Sequence, residues 1–410
     1  MAILLLIYEP YHIHSDESNP AVTDSVVRKE QYAARLKELD MHILSSCEHR
    51  NRGDIWNLND ICDQYRHDFS YDLRWRYVAE AYMVKNRLEH DRTNCHIILA
   101  ARDQEGMYEL NEALSEANIS GYYYRPRVDM ELLMRLSPRH VFVTTACVAG
   151  IWRYEDSERI LRELHAHFGS SLMLEVQYHH TPSQVELNRH ILSLYRRYRI
   201  PLIMGTDSHY VYPEQASERN WRLEANGIHY EDEDGWFMDL PDAKTAFDRF
   251  ADQGVLSDAQ IQESMENTLI FREFEDIPLP KNKKIPNIHP ELTVDERNDL
   301  YRGMIRTRFE EESRDFTDAE KQRHLEQIAY EESAVTQTGT ADYFIAAHDI
   351  VQRGLQNGGV ITKTGRGSGV SYVTNYYLGF TSVNRLTIPV TLYPDRFISK
   401  ERMASGSLPD

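Results

Sequence analysis

Five apolar, β-prone runs in this chain end in side chains that bind divalent metals. Ala2–Tyr8 leads into His12-Ile13-His14, and Met41–Ser46 into Glu48-His49. Tyr77–Ala79 leads into Glu80, Val141–Ala146 into Cys147, and Ile200–Thr206 into Asp207-Ser208-His209. Imidazole, carboxylate and thiolate are the usual ligands of such ions. Chains that deliver polar groups at strand C-termini build the open face of an α/β barrel or sheet. The pattern therefore points to a metal-dependent hydrolase.

To about residue 270 the chain alternates short β-branched runs with helical periods at Glu30–Leu39, Met107–Ala117, Ser157–His167 and Gln184–Tyr198. Strand-then-helix repetition predicts a parallel α/β architecture, closed or nearly so. The proline- and lysine-rich stretch from Ile277 to Pro286 reads as a linker. Beyond it, Thr293–Arg314 and Asp318–Gly339 read as polar, exposed helices, and Tyr343–Asn357 as a more apolar one ended by Gly358-Gly359. A strand over Val360–Thr362 is expected to run into Gly365-Arg366-Gly367-Ser368-Gly369, with a helix following through Leu378. The domains so defined are 1–276, a linker 277–292, and 293–410.

The net charge of -19 repels polyanions, so the chain as a whole is not a free-standing nucleic-acid binder. Metals and local basic patches could still hold phosphates. Four cysteines (Cys47, Cys62, Cys95, Cys147) are too few for a disulfide scaffold, which places the chain in a reducing cytoplasm. The apolar opening is too short for a membrane span and lacks the marks of a signal peptide.

Two His at i and i+2 on a strand point to one face, so His12 and His14 can share a metal, and Asp207 and His209 repeat the geometry. Between them lie Asp24, His49, Glu80, His96 and Cys147. Nine ligands exceed what one ion can use. A cluster of two or three would share them, clamp a phosphate ester and lower the pKa of a bound water. Any one of these residues alone is more often a plain polar boundary residue. The joint pattern of two HxH or DxH pairs with Cys147 shifts the balance. His42, His67, His90, His165, His179 and His180 fall outside it and read as surface.

Tyr11-His12-Ile13-His14-Ser15 with Asp24, Cys47-Glu48-His49, Cys95-His96-Ile97-Ile98-Leu99-Ala100 and Thr206-Asp207-Ser208-His209-Tyr210 resemble the successive motifs of the polymerase-and-histidinol-phosphatase (PHP) metallo-phosphoesterases. The version at the start of the bacterial DNA polymerase III alpha (C-family) branch is the most similar. Glu105–Leu110 and Gly121–Asp129 resemble stretches of that branch. The resemblance implies a distorted (β/α)7 barrel holding zinc or manganese, with Asp207 and His209 catalytic and all nine ligand positions filled. Arg50 stands where the family usually has glycine, and Asp16 rivals Asp24 because the loop is lengthened.

A glycine-rich turn between strand and helix offers backbone N–H groups to a triphosphate, although such turns also serve tight packing. Tyr343-Phe344-Ile345, Asp349-Ile350, Tyr376–Thr381 and Asp395–Arg402 around it resemble the palm of the same polymerase family. The resemblance implies a polymerase-beta-like α+β palm in which Gly365, Arg366, Gly367 and Ser368 bind the nucleotide. Tyr372 stands where small residues are usual. The family's palm continues into aspartates that hold two magnesium ions. Here Leu408-Pro409-Asp410 matches the start of that motif, so Asp410 is at most one of them, and the 410-residue chain alone is not expected to polymerise DNA. The implied activity is metal-dependent 3′–5′ exonuclease or phosphoesterase hydrolysis, and template-directed synthesis for a complete protein. The implied partners are primer-template and single-stranded 3′ ends of DNA, deoxynucleotide triphosphates and, through regions absent here, replisome subunits such as the sliding clamp. A free-standing phosphatase on a small phosphate ester and a metal-stabilised, non-catalytic scaffold are the rivals.

Overall fold

The computed structural model describes residues 6–18, 24–49, 51, 53–228, 235–280 and 285–404. The chain divides into two compact units, Met1–Leu279 and Pro280–Asp410. No helix among the described residues is long and apolar enough to cross a membrane.

The strands of the first unit are β1 (Ile43–Ser45), β2 (Glu48–His49), β3 (Arg74–Arg76), β4 (Val78–Met83), β5 (Cys95–Ala101), β6 (Arg127–Val128), β7 (Val141–Thr144), β8 (Leu172–Val176) and β9 (Leu202–Met204). β1 pairs with β3; the others form one sheet in the order β2-β4-β5-β7-β8-β9, with β6 against β4. The sheet is mixed, not parallel as the alternation of strands and helices suggests. β5 runs antiparallel to both β4 and β7, while β2, β4 and β6 are mutually parallel, as are β7, β8 and β9. Residues 84–94, between β4 and β5, contain no helix to carry a crossover, so this link returns the chain antiparallel. Of the expected first strand, residues 2–5 lie outside the described part and 6–8 are not in a strand.

Alternation along the strands separates two cores. Ile97, Leu99 and Ala101 of β5, Val141 and Val143 of β7, and Leu172 and Leu174 of β8 join the large core beneath the helices. Val78, Ile98, Ala100, Phe142, Met173 and Ile203 face the other way and form an inner core plugged by Phe271 and Phe274. Glu80, His96, Thr144 and Glu175 share the parity of this inner face but sit one step from the apolar layer. The result is a barrel-like α/β unit whose interior is apolar at one level and polar at the next. Its covering helices include Gln104–Ile119, Ser157–Phe168 and Pro182–Tyr198. The first and last start on Asp103 and Thr181, whose side chains accept from Gly106 N and Gln184 N.

The second unit is helical among the described residues. Thr293–Glu296 and Thr317–Glu320 form reciprocal capping boxes that start helices Val294–Glu312 and Asp318–Gln337. These helices are not simply polar and exposed. Tyr301, Ile305 and Phe309 of the first, and Ile328 and Val335 of the second, enter a core with Phe344, Ile345, Tyr372, Val373, Tyr377 and Ile398. Helix Ala341–Gln356, expected to be the more apolar, buries only its first turn and a half, through Ala341, Phe344 and Ile345. The expected strand Val360–Thr362 does not form: Val360 is 84% exposed, and among the described residues no strand stands beside it to pair with. The described part of this unit therefore lacks the sheet of an α+β palm.

Candidate metal centre

Two short motifs are zipped together to start the site. Ile13 bridges Ser208 in parallel, His14 N donates to Ser208 O (2.8 Å), and Thr206 Oγ1 donates to His12 O (2.9 Å). The His12/His14 pair and the Asp207/His209 pair thus lie side by side at one end of the sheet. Asp207 holds φ +47°, a left-handed conformation that Asp tolerates better than most residues. Ala146, with φ +57°, turns the chain so that Cys147 follows β7 into the site. Gly150 closes that turn, where a Cβ would stand 2.2 Å from Thr145 O. Glu80 does not follow a strand end as expected; it lies within β4 and reaches the site because it occupies the inner face.

Glu80 is the hub. Its Oε1 faces His96 Nδ1 (2.9 Å) and His12 Nε2 (3.7 Å), and its Oε2 faces His49 Nδ1 (3.0 Å) and His14 Nε2 (3.3 Å). Asp207 Oδ1 stands 3.3 Å from Nε2 of both His12 and His14. Cys147 Sγ is 3.7 Å from His96 Nδ1, and Asp24 Oδ2 is 3.8 Å from His49 Nε2. Three overlapping triads, His12/His14/Glu80, His14/His49/His209 and His49/Glu80/His96, each bring donor atoms within 4.8 Å of one another. All nine expected donors therefore converge. Asp24, not the exposed Asp16, is the acid that reaches them.

The outer nitrogens are fixed from behind. His12 Nδ1 bonds Glu175 Oε1 (2.7 Å), His14 Nδ1 bonds Ser18 Oγ (3.0 Å), and His209 Nδ1 bonds the carbonyl of Asp207 (2.9 Å). Each ring consequently presents Nε2 inward, the arrangement by which metal-binding imidazoles are oriented. His12 Nε2, His14 Nε2, His49 Nδ1 and both Glu80 oxygens are buried without a hydrogen bond. Orphaned donors of this kind are costly unless a cation takes them. The residues present thus fit a metal cluster.

Charges are balanced within the group. Burial works against the Glu80 carboxylate, yet His96, His49 and His12 hold it well below the usual carboxylate range; Asp207 is held down likewise against burial by His12, His14 and His209. Burial also opposes a proton on His14, but Asp207 and Glu80 push it up to about 10. His209 is pushed down to about 3, first by burial and then by His14.

Four residues here escape sequence reasoning. Glu175, a lone acid in the apolar β8, accepts hydrogen bonds from Tyr11, Thr144 and Gln177 besides binding His12. Arg219 lines the site, a cavity of about 220 Å³, and donates from Nε to Asp24 O (2.8 Å). Trp236 lines it too and stacks on His179, which is buried, not on the surface as expected. His179 follows β8 at the site's end of the sheet; Phe237 N donates to its Nδ1 (3.1 Å), and burial presses its pKa down to about 4.

Gly205 adjoins the Glu175 carboxylate, and a Cβ there would fall 2.1 Å from Oε1. Four hydrogen-bond partners leave Glu175 no room to yield. Gly205→Ala is expected to destabilise the chain by about 1–3 kcal/mol and to weaken metal binding roughly tenfold or more by turning His12. Thermal melting and zinc titration measure both.

In the second unit, Arg366 and Gly369 line an open cavity of about 270 Å³ with Thr362, Thr364 and Asn375. Gly367 has φ +82° and precedes a short 3-10 turn, Ser368–Ser371. Tyr372, by contrast, is buried and donates to Ile398 O (2.9 Å), a core role. Arg50 and Asp410 lie outside the described residues.

A pocket of imidazole, carboxylate and cysteine side chains at one end of a barrel-like sheet fits a PHP-type unit, and the PHP domain model matches residues 10–179. The model described as the bacterial DNA polymerase III alpha NTPase domain matches residues 300–410. With both in this order, the chain is similar to bacterial DNA polymerase III alpha subunits along most of its length. The DNA polymerase III subunit alpha of Aquifex aeolicus (strain VF5) is 25% identical over 347 residues, 78% of this chain and 28% of that protein. That of Borreliella burgdorferi is 24% identical over 434 residues, 97% of this chain and 34% of that protein. The chain thus spans about a third of the length of these relatives. A solved amidohydrolase from Chromobacterium violaceum, with bound SO4 and no metal, aligns over 52% of this chain and 96% of its own at 13% identity, with a TM-score of only 0.32.

Proposed function

We propose that the first unit is a metal-dependent phosphoesterase acting as a 3′–5′ exonuclease on single-stranded DNA, within a protein whose complete form carries out template-directed DNA synthesis. The convergence of nine donors, seven of them lining one cavity and His12 and His14 buried behind it, with Glu80 offering a separate oxygen to each of two histidine pairs, carries the reading. His12, His14, Asp24, His49, Glu80, His96, Cys147, Asp207 and His209 would hold two or three zinc or manganese ions. Bound there, such ions supply Lewis acidity and a water acidic enough to ionise near neutral pH. Asp207 and His209 stand at the cavity lining, where they meet the scissile phosphate, and Arg219 adds a fixed positive charge for its oxygens. Trp236 and Met238 form the apolar lip that receives the terminal nucleoside.

For the second unit we infer a nucleotide-triphosphate role for Gly365, Arg366, Gly367 and Ser368, supported by the open, Arg- and Thr-lined cavity beside them. Catalytic magnesium belongs to a complete palm, with Asp410 as one ligand. Primer-template DNA, deoxynucleotide triphosphates and replisome subunits such as the sliding clamp are the partners of the whole.

Elemental analysis of the purified chain is expected to find two or three zinc or manganese ions. Chelation is expected to lower its melting temperature, because metal binds the folded state, and to abolish release of nucleotides from 3′-labelled single-stranded DNA. A chain without stoichiometric metal after reconstitution, or one that cleaves a small phosphate ester but never DNA, would sink the proposal.

A further inference from the structure

The acidic chain carries a basic and aromatic cavity, of about 630 Å³, lined by Arg92, Thr93, Asn94, Tyr123, Tyr124, Arg125 and Arg153. Among the described residues, none of its three arginines has a carboxylate partner. The neighbouring Arg87 and Arg127, in contrast, are spent on structure: Arg87 binds Asp129 and Glu131, and Arg127 binds the carbonyls of Arg87, Glu89, Asp91 and Gly121. The charges of Arg92, Arg125 and Arg153 therefore face the cavity without a carboxylate to offset them, Arg153 giving only Nη1 to Asn94 O (3.4 Å).

The loop is built to hold an aromatic ring outward. Tyr123 and Arg125 bridge each other across a tight turn whose tip, Tyr124, has φ +62°, a conformation that bulky residues rarely adopt. Tyr124 is 57% exposed, with the Arg92 guanidinium 3.6 Å from its ring centroid. Tyr123 is steadied by stacking on His90, 4.6 Å between centroids.

The cavity adjoins the candidate metal centre through shared elements. Arg125 lies 4.5 Å over the ring of Tyr82, and that ring stands 5.2 Å from His96 and 5.7 Å from His49. Asn94 immediately precedes β5, which delivers His96, and Arg153 follows the turn that delivers Cys147. His96 N also donates to Ala149 O (2.8 Å), tying the two walls together.

Unpaired arginines beside an exposed, rigid aromatic are the two elements by which single strands are held: charge tracks the phosphates and a ring stacks a base. We propose that this cavity binds the phosphodiester backbone of a single-stranded nucleic acid, with a base on Tyr124, and leads the strand to the metal centre. The direction of travel rests on the phosphoesterase reading; the binding does not.

The test is fluorescence anisotropy of a labelled oligodeoxythymidylate on the full chain carrying Asp207→Asn, so that no strand is consumed and binding is read whether or not the parent hydrolyses DNA. Across about 50 to 200 mM salt, each phosphate contact to a single strand contributes a slope of about 0.7 in log K against log salt. Arg92→Gln/Arg125→Gln/Arg153→Gln is expected to flatten the slope by about 2 and to weaken low-salt binding at least tenfold. Tyr124→Ala is expected to weaken binding at least fivefold with the slope kept, since a stacked base carries no counterion. Arg92 and Tyr124 are exposed, so Arg92→Gln and Tyr124→Ala taken singly report even where the triple variant misfolds. No oligonucleotide binding by the Asp207→Asn chain, or equal affinity and slope in these variants, would overturn the proposal. Failure of the phosphoesterase reading would show separately, as an inactive parent that still binds the strand.

Discussion

Asp207→Asn should reduce hydrolysis of single-stranded DNA roughly a thousandfold, equivalent to about 4 kcal/mol of transition-state stabilisation, while leaving the fold intact. Asn is the informative replacement because it tolerates the left-handed backbone that Asp207 adopts, φ +47°. Its amide keeps the shape near His12 and His14 but removes the charge that faces both rings at 3.3 Å. Glu80→Gln should be at least as damaging, since both oxygens of Glu80 are engaged by different histidines. The measurement pairs nuclease rates with metal content and circular dichroism. Unchanged rates in folded Asp207→Asn would move the activity away from this site.

Much of this centre is legible in the sequence, because the donors are rare residue types at fixed offsets. The His12/His14 and Asp207/His209 pairs declare a common face by spacing alone. Glu175 was not legible: one acid inside an apolar strand gives no hint that it points inward, and only the strand parity shared with Met173 and Thr144 reveals it. His179 was misjudged for a related reason, since its burial depends on Trp236 and Phe237 folding back over β8 from far along the chain. The direction of β5 was hidden as well. Alternating runs suggest a parallel sheet, and the short link before β5 decides otherwise. In the second unit the two polar helices form close to their expected ends, but a mean polar composition concealed the Tyr301–Ile305–Phe309 stripe that builds its core.

A buried ion pair, Arg385–Glu331, anchors the second unit, and breaking it from the arginine side should cost about 3–5 kcal/mol. Glu331, on helix Asp318–Gln337, is buried and receives Arg385 Nη2 (2.7 Å) on one oxygen. The same carboxylate accepts Val373 N (3.0 Å), Thr374 N (2.8 Å) and Thr374 Oγ1 (2.9 Å). It thereby caps the short helix Val373–Tyr377, whose own N-cap, Tyr372, supplies no side-chain cap. Burial already raises the Glu331 pKa against these partners. Arg385→Met would remove one of the forces holding it down, so the folded-state pKa would rise further. A raised acid favours the folded state below its unfolded value, 4.5 here, and that contribution is lost as pH climbs through the folded value. The deficit of Arg385→Met relative to the parent should therefore be smallest in acid and grow towards neutrality. Tyr330→Phe, which removes only the exposed hydrogen bond to Asp395, should cost less than about 1 kcal/mol. Denaturant unfolding of the three chains at acidic and neutral pH separates the cases. An Arg385→Met deficit no larger than that of Tyr330→Phe would mean that the helix cap, not the ion pair, holds Glu331 in place.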